Sequence, residues 1–261
     1  YVEHDAEEIW RKTQKTLHDV LGQINPKDVY GIGITNQRET VVMWNKKTGK
    51  PIYNAIVWQC RRTVDFVESH LKGQVGKKIH TKTGLIPDAY FSATKIKWLL
   101  ENVKEAKVLE KKNELAVGTI ESFLAFKLTG NHITDITNAS RTMLLNINTK
   151  VWDDELLKLF NINEEILPKV INNDQIVGYY NYNGVSLTVA GLIGDQQSSL
   201  FGQACFKKGD LKNTYGTGSF LLLNIGDKPL LSKHKLLTTI AWSIKGKTTY
   251  ALEGSVFNCG S

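Results

Sequence analysis

Apolar positions recur at helical spacing near the start of the chain. Ile9, Trp10, Leu17, Val20, Leu21 and Ile24 share one face, which predicts an amphipathic helix over 5–24. Asp5 with Glu8 forms a capping pair at its start, and Asn25-Pro26 stops it. The period then changes. Residues 29–34, 40–44 and 52–58 are β-rich runs, and Lys46-Lys47-Thr48-Gly49 is a turn between the last two, so these read as successive strands of a meander. Helical patterns resume at 61–71, 92–103 and 119–128, with a short strand at 115–117. Residues 134–145 read as loop and strand, 153–160 as a short helix opened by Asp153 or Asp154, and 161–174 as irregular around Pro168. A polar, turn-rich stretch at 172–186 predicts a surface loop. A buried-type strand at 186–193 and a helix at 196–204 follow. From Leu211 onward the pattern is all β, at 211–215, 219–225, 236–243 and 248–252.

Strands in a run, then helices, then strand–helix, then antiparallel strands indicate an α/β fold, a mixed sheet with helices on its faces. The order fits a ribonuclease-H-like, actin/hexokinase-type ATPase domain whose first strands are expected before Tyr1. The chain opens without Met, directly onto a helix, and ends as abruptly at Ser261, as expected for a piece of a longer protein. Residues 1–253 are expected to form one domain and 254–261 the start of a connection to a second.

Composition narrows the function. No apolar run reaches the length of a membrane span. The net charge of +7 comes almost entirely from lysines dispersed singly or in pairs, without interleaved aromatics. That is a solvated surface rather than a nucleic-acid stripe. Against this background the five arginines, Arg11, Arg38, Arg61, Arg62 and Arg141, are expected to be placed for their rigid donor fork. The three cysteines show no metal or disulfide spacing, which suits reduced thiols in a cytoplasmic protein.

Two segments carry the chemistry. Gly194-Asp195-Gln196-Gln197 puts a carboxylate at the mouth of a strand just ahead of a helix. Tyr215-Gly216-Thr217-Gly218-Ser219-Phe220 puts glycines around a threonine in a tight turn between strands. A carboxylate that accepts a hydroxyl proton, beside peptide N–H groups that hold phosphate, is what phosphoryl transfer to an alcohol needs. Each segment alone also reads as an N-cap or a plain hairpin. Arg38-Glu39, in Thr35-Asn36-Gln37-Arg38-Glu39-Thr40, reads either as a surface ion pair or as a polyol grip, Arg donating to hydroxyl oxygens and Glu accepting from hydroxyl hydrogens. Trp58 is either a core aromatic or an indole plate against carbon.

These segments, with Tyr53–Thr63, Asp88–Lys95, Thr134–Met143 and Ala251–Ser255, resemble the FGGY carbohydrate kinases, and within them the glycerol-phosphorylating branch. The resemblance implies Asp195 as general base on a terminal glycerol hydroxyl. It implies Arg38, Glu39, Tyr90 and Gln196 as partners of the three hydroxyls, and Trp58 and Phe220 as walls against the carbon backbone. Thr217 and Gly218 would lie under the ATP phosphates, with Mg²⁺ bridging them. A homo-oligomer, dimer or tetramer, is implied for the full-length protein. The family's Asp-x-Gly-Thr phosphate loop and its adenosine-binding glycines are not among these residues, so the 261 residues alone are expected to bind ATP poorly and to be inactive. The stretch 181–187 has one Gly and no Arg, unlike the family's sugar-bisphosphate loop, so that regulation is not expected. Two alternatives stay open: a kinase for another small polyol or sugar, and a non-catalytic actin-like binding protein.

Overall fold

The computed structural model describes residues 1–216, 218–256 and 259. The first helix is Ala6–Leu21, and Asp5 caps it by accepting from the N–H groups of Glu7 and Glu8. Such a cap stabilises by about 0.5–2 kcal/mol. Its inward face is narrower than the apolar pattern suggests. Ala6 and Leu21 are buried, whereas Val20 and Ile24 are exposed.

The strand Val41–Asn45 is the spine of the larger half. It pairs antiparallel with Leu115–Thr119 on one side and with Ala55–Ile56 on the other, and Glu3–His4 closes that edge. Alternate side chains leave its two faces. Val41 and Met43 enter a core with Ile56, Val117, Phe91, Leu99 and Phe160. Val42 and Trp44 enter another with Phe123, Leu128, Val189 and Leu192. A strand covered on both faces reads as a continuous apolar run, and the sequence Val-Val-Met-Trp is that run.

The expected meander forms only in part: Val41–Asn45 and Ala55–Ile56 pair antiparallel, but its first strand lies elsewhere. Ile32–Asn36 does not join this sheet but pairs in parallel with Val185–Gly194, which pairs antiparallel with Ile176–Tyr182. Two runs of strand-forming residues say nothing about which edge each will meet. Here the intervening turn sends the second run into a different sheet. The loop expected at 172–186 is also corrected. Ile176–Tyr182 is a strand that turns at Asn183-Gly184, both with positive φ (49° and 82°). Helices Gly73–Thr83 and Lys104–Lys111 fill stretches where the sequence reading placed no element.

From Leu211 the expected all-β pattern is present. Leu211–Tyr215, Ser219–Gly226, Lys247–Val256 and Leu237–Ile244 form an antiparallel sheet in that spatial order. The helix Asp195–Gly202 connects the parallel pair to this sheet.

Candidate active site

The parallel pair sets the position of the site. Its register places Asn36 beside Gly194, so both strands end together. The carboxyl ends of parallel strands are where ligands bind in open α/β sheets. One strand runs on into Gln37-Arg38-Glu39, the other into Asp195-Gln196.

Beyond Asn36 the backbone folds sharply. The N–H of Thr40 donates to the carbonyl of Arg38 at 2.8 Å, and Glu39 between them has φ +62°. This is a γ-turn at positive φ, a strained conformation kept only where the surroundings over-determine it. It places Arg38 and Glu39 side by side in the interior. Neither forms the surface ion pair that the sequence alone allowed, since both are buried.

Arg38 donates in bidentate fashion to Glu253, Nη1 to Oε2 and Nη2 to Oε1, each at 2.7 Å, and Nη1 also reaches Gln197 Oε1 at 3.1 Å. Its Nε lies 3.4 Å from Asp195 Oδ1 and 3.8 Å from Glu39 Oε1. Arg141 completes the cluster, donating from Nε to Glu39 Oε1 at 2.7 Å and from Nη2 to Glu253 Oε1 at 3.1 Å. Its guanidinium stacks near the rings of Tyr90 and Phe91. Two cations thus face two anions with no exposed member. Burial pushes Glu253 up, but the Arg141 and Arg38 guanidiniums outweigh it and hold its carboxyl at about 2.

Gly194 makes this packing possible. A Cβ at this position would meet Arg38 Cδ at 2.8 Å and Cγ at 2.9 Å. The pinned guanidinium leaves that stem nowhere to move.

Asp195 stands at the border of this cluster. Its side chain is 41% exposed, and Oδ1 accepts the Gln196 N–H at 2.7 Å. The first turn of a helix is a favourable place for a carboxylate. Gln196 lines a cleft of about 1410 Å³ together with Trp58, Tyr90, Gly216, Gly218 and Phe220. Trp58 and Tyr90 meet edge to face, their ring centroids 5.6 Å apart. Lys95, fully buried, donates to the carbonyls of Tyr90 and Phe91 and so fixes the Tyr90 segment. Its burial pulls the ammonium down to about 7. Burial pushes the Tyr90 hydroxyl up, which keeps it protonated.

The structure therefore brings Trp58, Tyr90, Gln196, Gly218 and Phe220 around one cleft, with Asp195 next to Gln196 and Arg38–Glu39 behind it. In the glycine turn the Gly216 N–H donates to the Gly218 carbonyl at 2.8 Å. Thr217, the other residue expected under the phosphates, lies outside the described residues. Sequence reasoning missed Glu253, Gln197 and Lys212 as part of this neighbourhood. Glu253 sits in one of the resembling segments, and Arg141 was marked by the scarcity of arginine. Lys212 carried no mark among so many lysines.

A model of the FGGY family of carbohydrate kinases, N-terminal domain, matches residues 1–202. The chain belongs to that family. It is 53% identical over 268 residues to the glycerol kinase of Ligilactobacillus salivarius, covering all of this chain and 53% of that protein. The glycerol kinase of Leptospira biflexa is also 53% identical, with all of this chain and 54% of that protein covered. The chain thus spans about half the length of the curated relatives it matches. The crystal structure of Plasmodium falciparum glycerol kinase with ADP superposes with a TM-score of 0.92 at 42% identity, over 97% of this chain and 53% of that one. Xylulose kinase from Lactobacillus acidophilus shares the fold, with a TM-score of 0.86 at 23% identity over 99% of this chain and 52% of that one. The fold is the actin/hexokinase-type ATPase fold of these kinases.

Proposed function

We propose that the chain is the glycerol-binding part of an ATP-dependent glycerol kinase, which transfers the γ-phosphoryl group to a terminal hydroxyl and yields sn-glycerol 3-phosphate. One observation carries this reading: the half-exposed Asp195 carboxylate at the end of the parallel strands, flanked by Arg38 Nε and by the cleft residue Gln196. The glycerol kinases similar to it along its whole length support the choice of glycerol.

Asp195 accepts the hydroxyl proton as the oxygen attacks phosphorus. Phosphoryl transfer through a loose transition state is mostly positioning and charge stabilisation. Arg38 and Glu39 supply donor and acceptor to the hydroxyls, and Tyr90 and Gln196 supply further polar atoms. Trp58 and Phe220 cover the carbon chain. The Gly216–Gly218 turn faces the phosphates. Magnesium takes one or two carboxylates plus phosphate oxygens, so Asp195 fits as a single protein carboxylate near an ion carried by ATP. When bound, that ion would neutralise charge on the transferring group.

The test uses the full-length protein. With glycerol and MgATP, Asp195→Asn lowers turnover on the order of 10²–10⁴-fold, the usual cost of losing a general base, while glycerol binding persists. Wild-type turnover in the Asn variant rules out Asp195 as the base. Turnover on a pentulose with none on glycerol overturns the substrate.

A further inference from the structure

Alternation along Leu211–Tyr215 runs against hydropathy. Leu211 points outward and is 49% exposed, whereas Lys212 points inward and is 5% exposed. Burying an ammonium in place of a leucine is unfavourable unless its donors are matched. They are matched three times. Lys212 Nζ donates to Gln196 Oε1 at 2.5 Å, to Thr214 Oγ1 at 2.9 Å and to the Phe220 carbonyl at 3.2 Å.

We propose that Lys212 is a positioning residue of the site, one that turns the Gln196 amide so that its carbonyl faces the protein and its NH₂ faces Asp195 and the cleft. The inference rests on the glycerol-kinase reading above. An ammonium has three donors and no acceptor, so the amide oxygen is the atom it must hold. With Oε1 fixed, Gln196 Nε2 lies 3.4 Å from Asp195 Oδ2. The second N–H of that amide is left for a ligand oxygen in the cleft that Gln196 lines. Gln196 then recognises a substrate hydroxyl as a hydrogen-bond acceptor.

The same ammonium reaches the glycine turn. Thr214 and Phe220 are cross-strand partners on the two arms of that hairpin. Lys212 therefore ties the amide on the hydroxyl side of the cleft to the base of the turn on the phosphate side. Burial draws Lys212 down to about 8, against the charges of Glu253, two strands away across the sheet, and of Asp195 from the helix, and with the repulsion of Arg38. Above that pH the neutral amine can accept as well as donate, and the amide is no longer held one way round.

A double-mutant cycle in the full-length enzyme tests this. Lys212→Met raises KM for glycerol about tenfold, the equivalent of 1.4 kcal/mol, with a smaller change in kcat. In a Gln196→Met background the same substitution changes KM little, because the amide it would orient is gone. Equal effects in both backgrounds show a purely structural role and overturn the proposal. If Lys212→Met does not fold, the wild type decides. Its KM for glycerol rises between pH 7 and 9.5, and this rise is absent in Gln196→Met. A rise of the same size in both, or none in the wild type, overturns the proposal. Should the wild type phosphorylate another polyol and not glycerol, the substrate reading fails separately, and the cycle is read with the polyol that is turned over.

Discussion

The Arg38–Glu39–Arg141–Glu253 cluster and the Glu121–Asp135 pair are both buried, yet Glu253 in the first and the carboxyl groups of the second shift in opposite directions. In the first, each carboxylate meets a guanidinium, and Glu253 is held far below the usual carboxylate range. In the second no cation among the described residues is in hydrogen-bonding reach. Glu121 accepts from the hydroxyls of Thr119 and Thr134 and from the Asn36 amide. Asp135 accepts from Asn138, Asn173 and Thr137. Burial, together with the charge of Asp135, pushes Glu121 up to about 7, and Asp135 is raised by burial as well. Burial among neutral donors raises a carboxyl group, whereas guanidiniums beside Glu253 lower it. The ionised cluster is a fixed frame that aims Arg38 at Asp195. The Glu121–Asp135 pair is a hub that joins the strand end at Asn36 to the short helix Ile136–Ala139 through Asn138.

Breaking the ionised cluster has the largest effect. Glu253→Gln leaves the two buried guanidiniums with Glu39 between them and only the half-exposed Asp195 beside Arg38. Removing one partner of a buried ion pair destabilises by about 3–5 kcal/mol. Equilibrium urea unfolding measures it, and a loss close to that of a surface substitution would show that the cluster is not a stabilising frame.

Gly194 lies at the seam of the two regions. Its N–H donates to Thr137 Oγ1 at 2.9 Å, beside Asp135, and a Cβ here would run into the Arg38 stem. Gly194→Ala overpacks that seam and is expected to cost about 1–3 kcal/mol. KM for glycerol should rise with it, because Arg38 is displaced. Unchanged stability and KM would mean the seam relaxes freely.

The smallest effect separates the two regions by pH. Glu121 has a folded pKa above its unfolded value, so its contribution is fully present below about pH 4.5 and is lost as pH rises toward 7. Glu253 has a depressed one, so its contribution is present above about pH 4.5 and is lost as pH falls toward 2. Glu121→Gln should therefore flatten the fall in stability between pH 5 and 7.5 by ~1–2 kcal/mol. Wild-type and variant urea midpoints that run parallel over this range would show that the pair holds no extra proton.

Local signals in the sequence were strong where the physics is local. Asp5 and Asp153 cap the helices that the pattern placed after them. The all-β run after Leu211 appears strand for strand, because alternation and turn residues act within a few positions. Asn183-Gly184 is a hairpin turn, yet the sequence before it predicts a loop where the structure has a strand. Ile176–Tyr182 is a sheet edge with Tyr179 exposed, and such a strand has little apolar alternation to show. The first strand of the expected meander departs for a different reason. Pairing depends on residues far away in sequence, and the γ-turn at Glu39 diverts the chain into another sheet.

By itself the sequence determined the α/β class and most element types, and it marked the segments to which we assign the chemistry. Helix periodicity, caps and glycine turns are written in neighbouring residues, and the scarcity of arginine marked Arg38 and Arg141 against a surface of lysine. Only the tertiary structure decided which charges meet. Glu253 is 215 residues from Arg38, yet it takes both of its Nη groups. Lys212 is indistinguishable from its many surface counterparts until the strand register turns it inward. Ion pairing and burial are properties of where distant strands are brought together, and no local pattern encodes that distance.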